Sequence, residues 1–233
     1  LKSSLLARTN YARLAHHAEA LGDPEAVLTY APAAAQQASI VSAHRTAAVL
    51  YALALRFAEA DSTQRAGLLE LYAWECNLVG RPIEAIESRR SAIELWRAAG
   101  NPLKQGENLA HLALLLFGRE EWTEANAAGR AAIQLLETLP PGRELALAYR
   151  TQALLQHLTE DPAGVIALAE KSVALAEQCD DRRTLAMAYD TLGSAWLPLD
   201  YERGRQYLER RLVVAREAGL EARIASVYGN LGS

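Results

Sequence analysis

Apolar residues recur along the chain at the three- and four-residue spacing of a helix face, with no stretch of strict apolar–polar alternation. Turn-forming residues divide this pattern into helices near 5–21, 24–40, 43–60, 63–79, 82–99, 103–118, 122–138, 143–159, 162–179, 183–197, 201–218 and 221–232. Pro24 after Gly22-Asp23, Pro82 after Gly80 and Pro162 after Asp161 each stand at a first helical turn, where the missing N–H has no intrahelical partner to lose. Pro32 and Pro198 fit this scheme less well. Pro32 falls inside a continuous helical pattern and predicts a kink or break near Tyr30.

The punctuation is periodic. Gly100-Asn101-Pro102, Pro140-Pro141-Gly142, Asp180-Asp181 and Gly219 follow one another at steps of 40, 40 and 39 residues, and Tyr149, Tyr189 and Tyr228 keep steps of 40 and 39. Tyr189-x-x-Leu192-Gly193 returns as Tyr228-x-x-Leu231-Gly232. Looser copies are Tyr149-x-x-Gln152-Ala153, Leu109-x-x-Leu112-Ala113 and Leu69-x-x-Tyr72-Ala73. Two large residues followed by a small one describe a helix face set close against a neighbour. The second helix of each unit carries small residues two turns apart: Ala47 and Ala54, Ala85 and Ala92, Ala125 and Ala132. Later the pair becomes Val165 with Ser172 and Gly204 with Arg211, which predicts looser or shifted packing there.

These residues resemble the tetratricopeptide repeat, which has Trp or Tyr, Leu and Gly in this spacing on its first helix and Ala pairs on its second. The resemblance covers roughly residues 24–233. It implies an all-α fold, an α-α superhelix of antiparallel helix pairs, each helix about a turn longer than in the standard repeat of about 34 residues. Residues 1–23 then form an N-terminal helix at the junction with an upstream module, and 24–233 a repeat array whose last repeat is truncated. Stacked pairs bury a continuous core and line an inner groove with their first helices.

Composition sharpens this reading. Hydrophobic residues are 51% of the chain but aromatic ones only 6%, so the apolar content is mostly Ala and Leu, which favours helix. A net charge of −4 argues against a nucleic-acid surface. Arg89-Arg90 and Arg210-Arg211 share their helices with Glu and read as solvated faces. Cys76 and Cys179 belong to no CxxC or Cys/His pattern, which fits a reducing cytoplasm. No apolar run approaches the ~18 residues that would span a bilayer, and LKSSLLARTN lacks the layout of a signal peptide. A start at Leu and an end within a helical pattern read as a piece of a longer protein.

A second resemblance rests on ARLAHHAEALGDPEAVLTYAPAAAQQAS with AHRTAAVLYALALRF, on LVGRPIEAIESRRSAIELWRAAG, and on LPPGRELALAYRTQAL and EAGLEARIASVYGNLGS. These segments are similar to the helical region that follows the nucleotide-binding module in large ATP-binding regulators of the LuxR type, the group that includes the bacterial maltose regulator. Membership implies a signal-transduction ATPase, a central helical sensor and a C-terminal helix-turn-helix. No GxxxxGK[ST] occurs: Gly100 and Gly106 are separated by five residues and no Lys-Ser/Thr follows. ATP therefore belongs to the implied parent, and no cofactor is expected in this chain.

Candidate sites are few. His16-His17-x-Glu19 sets its histidines about 100° apart on a helix, unlike a metal pair at i and i+4, so no metal is expected. His111 and His157 have no nucleophile motif beside them, GxSxG is absent, and no catalytic residue is assigned. The face expected to line the groove carries Glu70, Trp74, Asn77, Glu107, Arg150, His157, Asp190 and Ser194. Its mixed charges suit a small-molecule inducer, a peptide or a protein. Trp96, Trp122 and Trp196 are expected to fill gaps between adjacent repeats. Ile224, Val227, Tyr228 and Leu231 predict self-association through the truncated end. The resulting expectation is a non-enzymatic, ligand- or partner-sensing segment of a bacterial transcription regulator, with no direct contact to nucleic acid or membrane. The alternative is a peptide- or protein-docking scaffold attached to a cyclase or kinase.

Overall fold

A computed structural model describes residues 10–157 and 162–219, which form eleven α-helices and, among the described residues, no strand. The chain divides into two compact units, Leu1–Leu95 and Trp96–Ser233. The first holds α1 (Tyr11–Leu21), α2 (Pro24–Ile40), α3 (His44–Phe57), α4 (Thr63–Leu78) and α5 (Pro82–Ala98) up to Leu95. The second holds α6 (Pro102–Phe117), α7 (Trp122–Leu136), α8 (Arg143–Gln156), α9 (Pro162–Gln178), α10 (Arg182–Trp196) and α11 (Tyr201–Glu217). The expected helix at 221–232 and the apolar residues assigned to self-association lie outside the described residues.

The turns explain why helix bounds follow sequence punctuation so closely. Gly22, Gly80, Gly100 and Gly219 adopt left-handed φ of 62–74°, which a glycine reaches without a Cβ penalty, and Asp180 takes the same role at φ 50°. The residues that follow then cap the next helix. Asn101 Oδ1 accepts from the Lys104 amide at 3.0 Å, Asp181 Oδ1 from the Thr184 amide at 3.1 Å, and Asp23 Oδ1 from the Ala26 amide at 3.0 Å. Left-handed residue, cap and, in two cases, proline make a chain reversal of two or three residues, and successive helices must run antiparallel.

In unit 1, α2 pairs with α3, and α1 packs on α2. Val27, Ala31, Ala35, Ala47, Leu50 and Ala54 share their core with Ala15 and Ala18 of α1. Pro32 does not break α2, which runs unbroken from Pro24 to Ile40. The lost hydrogen bond is outweighed by the burial of Ala31, Ala34 and Ala35 around it.

In unit 2 the pairs are α6 with α7, α8 with α9 and α10 with α11, and each first helix also packs on the next first helix. One core runs through all six helices, from Ala110 and Leu136 through Tyr149 and Leu175 to Tyr189 and Val214. The later small-residue positions are not loose, contrary to expectation. Val165 is 1% exposed and Ser172 is fully buried, its hydroxyl donating to the Ala146 carbonyl at 2.8 Å. A Cβ on Gly204 would come within 2.7 Å of the Leu197 amide nitrogen and 2.9 Å of the Gly193 carbonyl, so α10 and α11 cross nearly backbone to backbone. Arg211 stands where earlier repeats have a small residue because its guanidinium turns to Asp190, 3.2 Å away.

Candidate docking face

Two first helices of unit 2, α8 and α10, are almost enclosed. On α8 every residue from Leu145 to Leu155 is buried except Leu147 and Leu154. With Arg143, Arg150 and His157 these two trace one stripe at helical spacing. The same register on α6 gives Leu103, Glu107, Ala110, Leu114 and Phe117, and on α10 gives Arg183, Met187, Asp190, Ser194 and Leu197. Because α6, α8 and α10 are neighbours, the stripes lie side by side. Their N-terminal ends are close enough for the Arg143 guanidinium to be held in its charged form, first by its hydrogen bond to Glu144 and then by the fields of Glu107 and Asp181.

Glu107, Arg150, His157, Asp190 and Ser194 thus stand on adjacent stripes of unit 2. Their environments differ from that of a solvated polar face. Glu107 receives the Lys104 ammonium at 2.8 Å, and Asp190 is engaged by Arg211. Arg150 is 4% exposed, and His157 is exposed as the C-cap residue of α8. The polar reading of this face missed Leu114, Leu147, Leu154 and Met187, all half-buried on the same stripes. Their register at steps of 40 residues, Leu114 with Leu154 and Leu147 with Met187, was the available signal.

In unit 1, Glu70, Trp74 and Asn77 lie half-buried on α4 beside Leu71, which is 47% exposed. Behind them Glu75 is 2% exposed, and its Oε2 meets His44 Nδ1 at 2.8 Å. Burial first and the Glu75 charge second raise the Tyr51 phenol above its ordinary range. This buried carboxylate joins α3 to α4.

Tyrosine hydroxyls tie successive repeats of unit 2 together. Tyr149 donates to Glu137 at 2.8 Å and Tyr189 to Glu177 at 2.7 Å, each bond running back to the end of the preceding second helix. Lys171 stands 5.2 Å from the Tyr149 ring centre. Burial and then the carboxylate bond push each of these phenols up to about 12.

The remaining candidates have structural surroundings. Glu19 bonds Arg56 at 2.6 Å, which holds its carboxyl below the usual range, while His16 approaches it only to 3.5 Å. Among the described residues no three His, Cys, Asp or Glu side chains gather as a ligand set. Trp96 is buried and Trp196 half-buried, the latter under the Arg203 guanidinium at 3.8 Å. Trp122 departs from expectation. It is 41% exposed because it opens α7, where it meets Phe117 of α6 edge to face within one repeat. Cys76 and Cys179 are unpaired, and no helix among the described residues is long and apolar enough to cross a membrane.

Antiparallel pairs whose first helices stack on one another are also found in solved proteins. BtubC from P. vanneervenii superposes with a TM-score of 0.68 at 18% identity over 90% of this chain and 89% of its own. The fold is a tetratricopeptide-like helical repeat. A Rap protein solved in complex with Competence and Sporulation Factor shares the repeat, with a TM-score of 0.72 and 13% identity over 88% of this chain. So does a signal-transduction ATPase with numerous domains and a tetratricopeptide repeat sensor from Pyrococcus horikoshii, with a TM-score of 0.57 and 14% identity over 95% of this chain. The repeat here spans 58% of the Rap chain and 38% of the ATPase. No protein-family model matches the sequence. No curated protein matches it either.

Proposed function

We propose that this chain is a docking and sensing module that holds a peptide or protein segment on the stripes of its first helices. The observation that carries this is α8: from Leu145 to Leu155 only Leu147 and Leu154 stay half-open, and Glu107 and Leu114 of α6 and Met187 and Ser194 of α10 hold the same two positions one repeat away. Uniform enclosure with a single repeated opening is what a repeat array needs in order to bind along its axis. The Rap complex with a signalling factor and the ATPase whose repeat is named a sensor support the reading by shared fold.

At a finer level, we read the module as the sensor of a LuxR-type, ATP-binding transcription regulator. Binding on the first helices then shifts the balance between two states of an attached ATPase by its differential affinity for them. The module itself takes no cofactor and does no chemistry, works in the cytoplasm, and leaves ATP and DNA to its neighbours. The coding DNA on either side tests this level: a phosphate-binding loop upstream with a helix-turn-helix downstream supports it, whereas a cyclase or kinase module replaces it with the scaffold reading.

Docking itself is tested by selecting a displayed random-peptide library on the chain and counter-selecting on Leu154→Glu, which puts a charge in the middle of the α8 stripe. Enrichment lost on the variant is the expected result. No enrichment, or enrichment indifferent to the charge, counts against the docking face.

A further inference from the structure

We infer that the exposed face of α11 holds a small organic carboxylate, with its charged head on Arg210 and its apolar body on Tyr189, Val213 and Val214. The site lies on a second helix of unit 2, away from the stripes of the first helices, and stands independently of the docking reading. Two clefts open there. One, of about 420 Å³, is lined by Tyr189 of α10 with Gln206, Glu209, Arg210, Val213 and Val214. The other, of about 300 Å³, is lined by Asp200, Glu202, Arg203, Gln206, Tyr207 and Arg210. Both volumes fall in the range of small-molecule sites, roughly 300–1,000 Å³. Gln206 and Arg210 belong to both clefts, so Arg210 stands where they meet.

The charges of the walls decide which head group fits. Arg210 lies over the Tyr207 ring at 5.5 Å, and that ring stacks on Tyr189 with centres 6.0 Å apart. Contact with a ring fixes one face of a guanidinium and leaves its N–H edge free to donate. Among the described residues no carboxylate pairs with Arg210, whereas its neighbour Arg211 is taken by Asp190 at 3.2 Å. The acids of the walls are already engaged. Asp200 Oδ1 accepts from the Arg203 amide at 3.1 Å, and Glu202 and Glu209 both meet Arg205, at 3.4 and 3.2 Å. Arg203 lies over Trp196 at 3.8 Å and reaches Glu170 at 3.7 Å. Asp200, Glu202 and Glu209 balance Arg203, Arg205 and Arg210, so a dianion such as phosphate meets three carboxylates without net attraction. A single carboxylate presents two oxygens to the Arg210 fork and supplies the one counter-charge that this guanidinium lacks.

What lies beyond the guanidinium sets the body of the ligand. Val213 and Val214 follow Arg210 by three and four residues and so share its side of the helix one turn on. Val214 and Tyr189 are buried and form a base, while Val213 is 53% exposed and still hydrated. An apolar group laid along them removes that hydration. One helical turn advances about 5.4 Å, which roughly four carbons span, so acetate is too short to reach from Arg210 to the valines. The matching chemistry is a carboxylate on a short branched chain. A free acid carries it, and so does the C-terminal Leu of a peptide.

The test titrates the whole isotope-labelled chain and follows its backbone amides and arginine side-chain N–H groups by two-dimensional NMR. The probes are isocaproate, isocaproamide, acetate, inorganic phosphate, and acetyl-Ser-Gln-Leu with a free or an amidated C terminus. Isocaproate should shift Gln206, Arg210 and Val213 and bind about tenfold or more tighter than isocaproamide, acetate or phosphate, a difference of about 1.4 kcal/mol. Arg210→Gln should weaken it by about tenfold or more, while Arg130→Gln, which removes an exposed charge from α7, should leave it unchanged. Shifts of the same residues by the free-acid peptide and not by isocaproate keep the site and assign its carboxylate to a chain end; the reverse assigns it to a free acid. Phosphate binding as tightly as isocaproate overturns the carboxylate class. Equal binding of the amide, or indifference to Arg210→Gln, overturns the role of Arg210, and no shift at Gln206, Arg210 and Val213 with any probe removes the site.

Discussion

Glycine has opposite meanings at two sets of positions in this chain. At Gly22, Gly80 and Gly100 it supplies a left-handed turn with nothing near the missing Cβ, whereas Gly193 and Gly204 supply room. A Cβ on Gly193 would stand 2.8 Å from the Leu208 side chain, which can shift, but one on Gly204 would meet backbone at 2.7 and 2.9 Å, which cannot shift without separating α10 from α11. Gly193→Leu is expected to cost roughly 1–3 kcal/mol despite better helix propensity, and Gly204→Ala about 2–3 kcal/mol for a single methyl. Chemical denaturation measures both, and a loss below about 0.5 kcal/mol for Gly204→Ala would mean that the crossing is not at Gly204. A second residue-scale test concerns Glu75, 2% exposed against His44. Removing the imidazole strands a buried carboxylate, so His44→Ala should cost roughly 2 kcal/mol or more, and Glu75→Gln should recover part of that loss in the double variant. Equal losses from the two single variants that simply add would show the pair to be uncoupled.

At the scale of helices, the sequence was most readable where local chemistry decides the outcome. Left-handed glycines, Asn and Asp caps and first-turn prolines act within a few residues, so ten of the eleven helices begin and end within a few residues of their expected bounds, and the eleventh, α1, ends where expected, its expected start at residue 5 lying outside the described residues. What depends on neighbours was harder to read. Pro32 looked like a kink or break because its cost is local, while the packing that offsets it comes from α1 and α3. Leu147 and Met187 carry no polar mark of a site, and only the enclosure of the residues around them shows them to be an opening. Arg211 looked like a decayed packing position because its partner, Asp190, is 21 residues earlier on another helix. The tyrosine bonds between repeats were equally hidden, and they give a pH prediction. An unfolded tyrosine releases its proton near 10, while Tyr149 and Tyr189 hold theirs to about 12. Between these values the folded state binds more protons than the unfolded state, so stability is full below about pH 10 and falls as pH rises towards 12. Tyr149→Phe with Tyr189→Phe should lower stability by about 1–2 kcal/mol at neutral pH and flatten the loss between pH 10 and 12. An unchanged alkaline slope would mean that other groups govern it.

Over the whole chain, each compact unit has a core of its own. Val27, Leu50, Ala54 and Leu68 close on one another within unit 1, and Ala110, Leu136, Tyr149, Leu175, Leu185 and Val214 within unit 2. In an array whose repeats answer mainly to their nearest neighbours, stability is a sum of local terms and need not be lost all at once. Leu192 makes this measurable. It is 1% exposed in a cluster with Ala153, Val165, Ala169 and Ala195, so Leu192→Ala should cost about 2–4 kcal/mol. Native-state hydrogen exchange should place that loss in α8 to α11 and leave the amides of α2 and α3 protected as before. A uniform fall across both units would show one cooperative block, and binding on α8 would then be felt equally at every helix. A confined fall would leave α8, α9 and α10 as the part of the molecule whose order a docked segment changes most. A ligand read out through order shows up as added exchange protection there, so adding a library-selected peptide that Leu154→Glu fails to bind to wild-type chain should protect α8 and α10 and leave α2 and α3 unchanged.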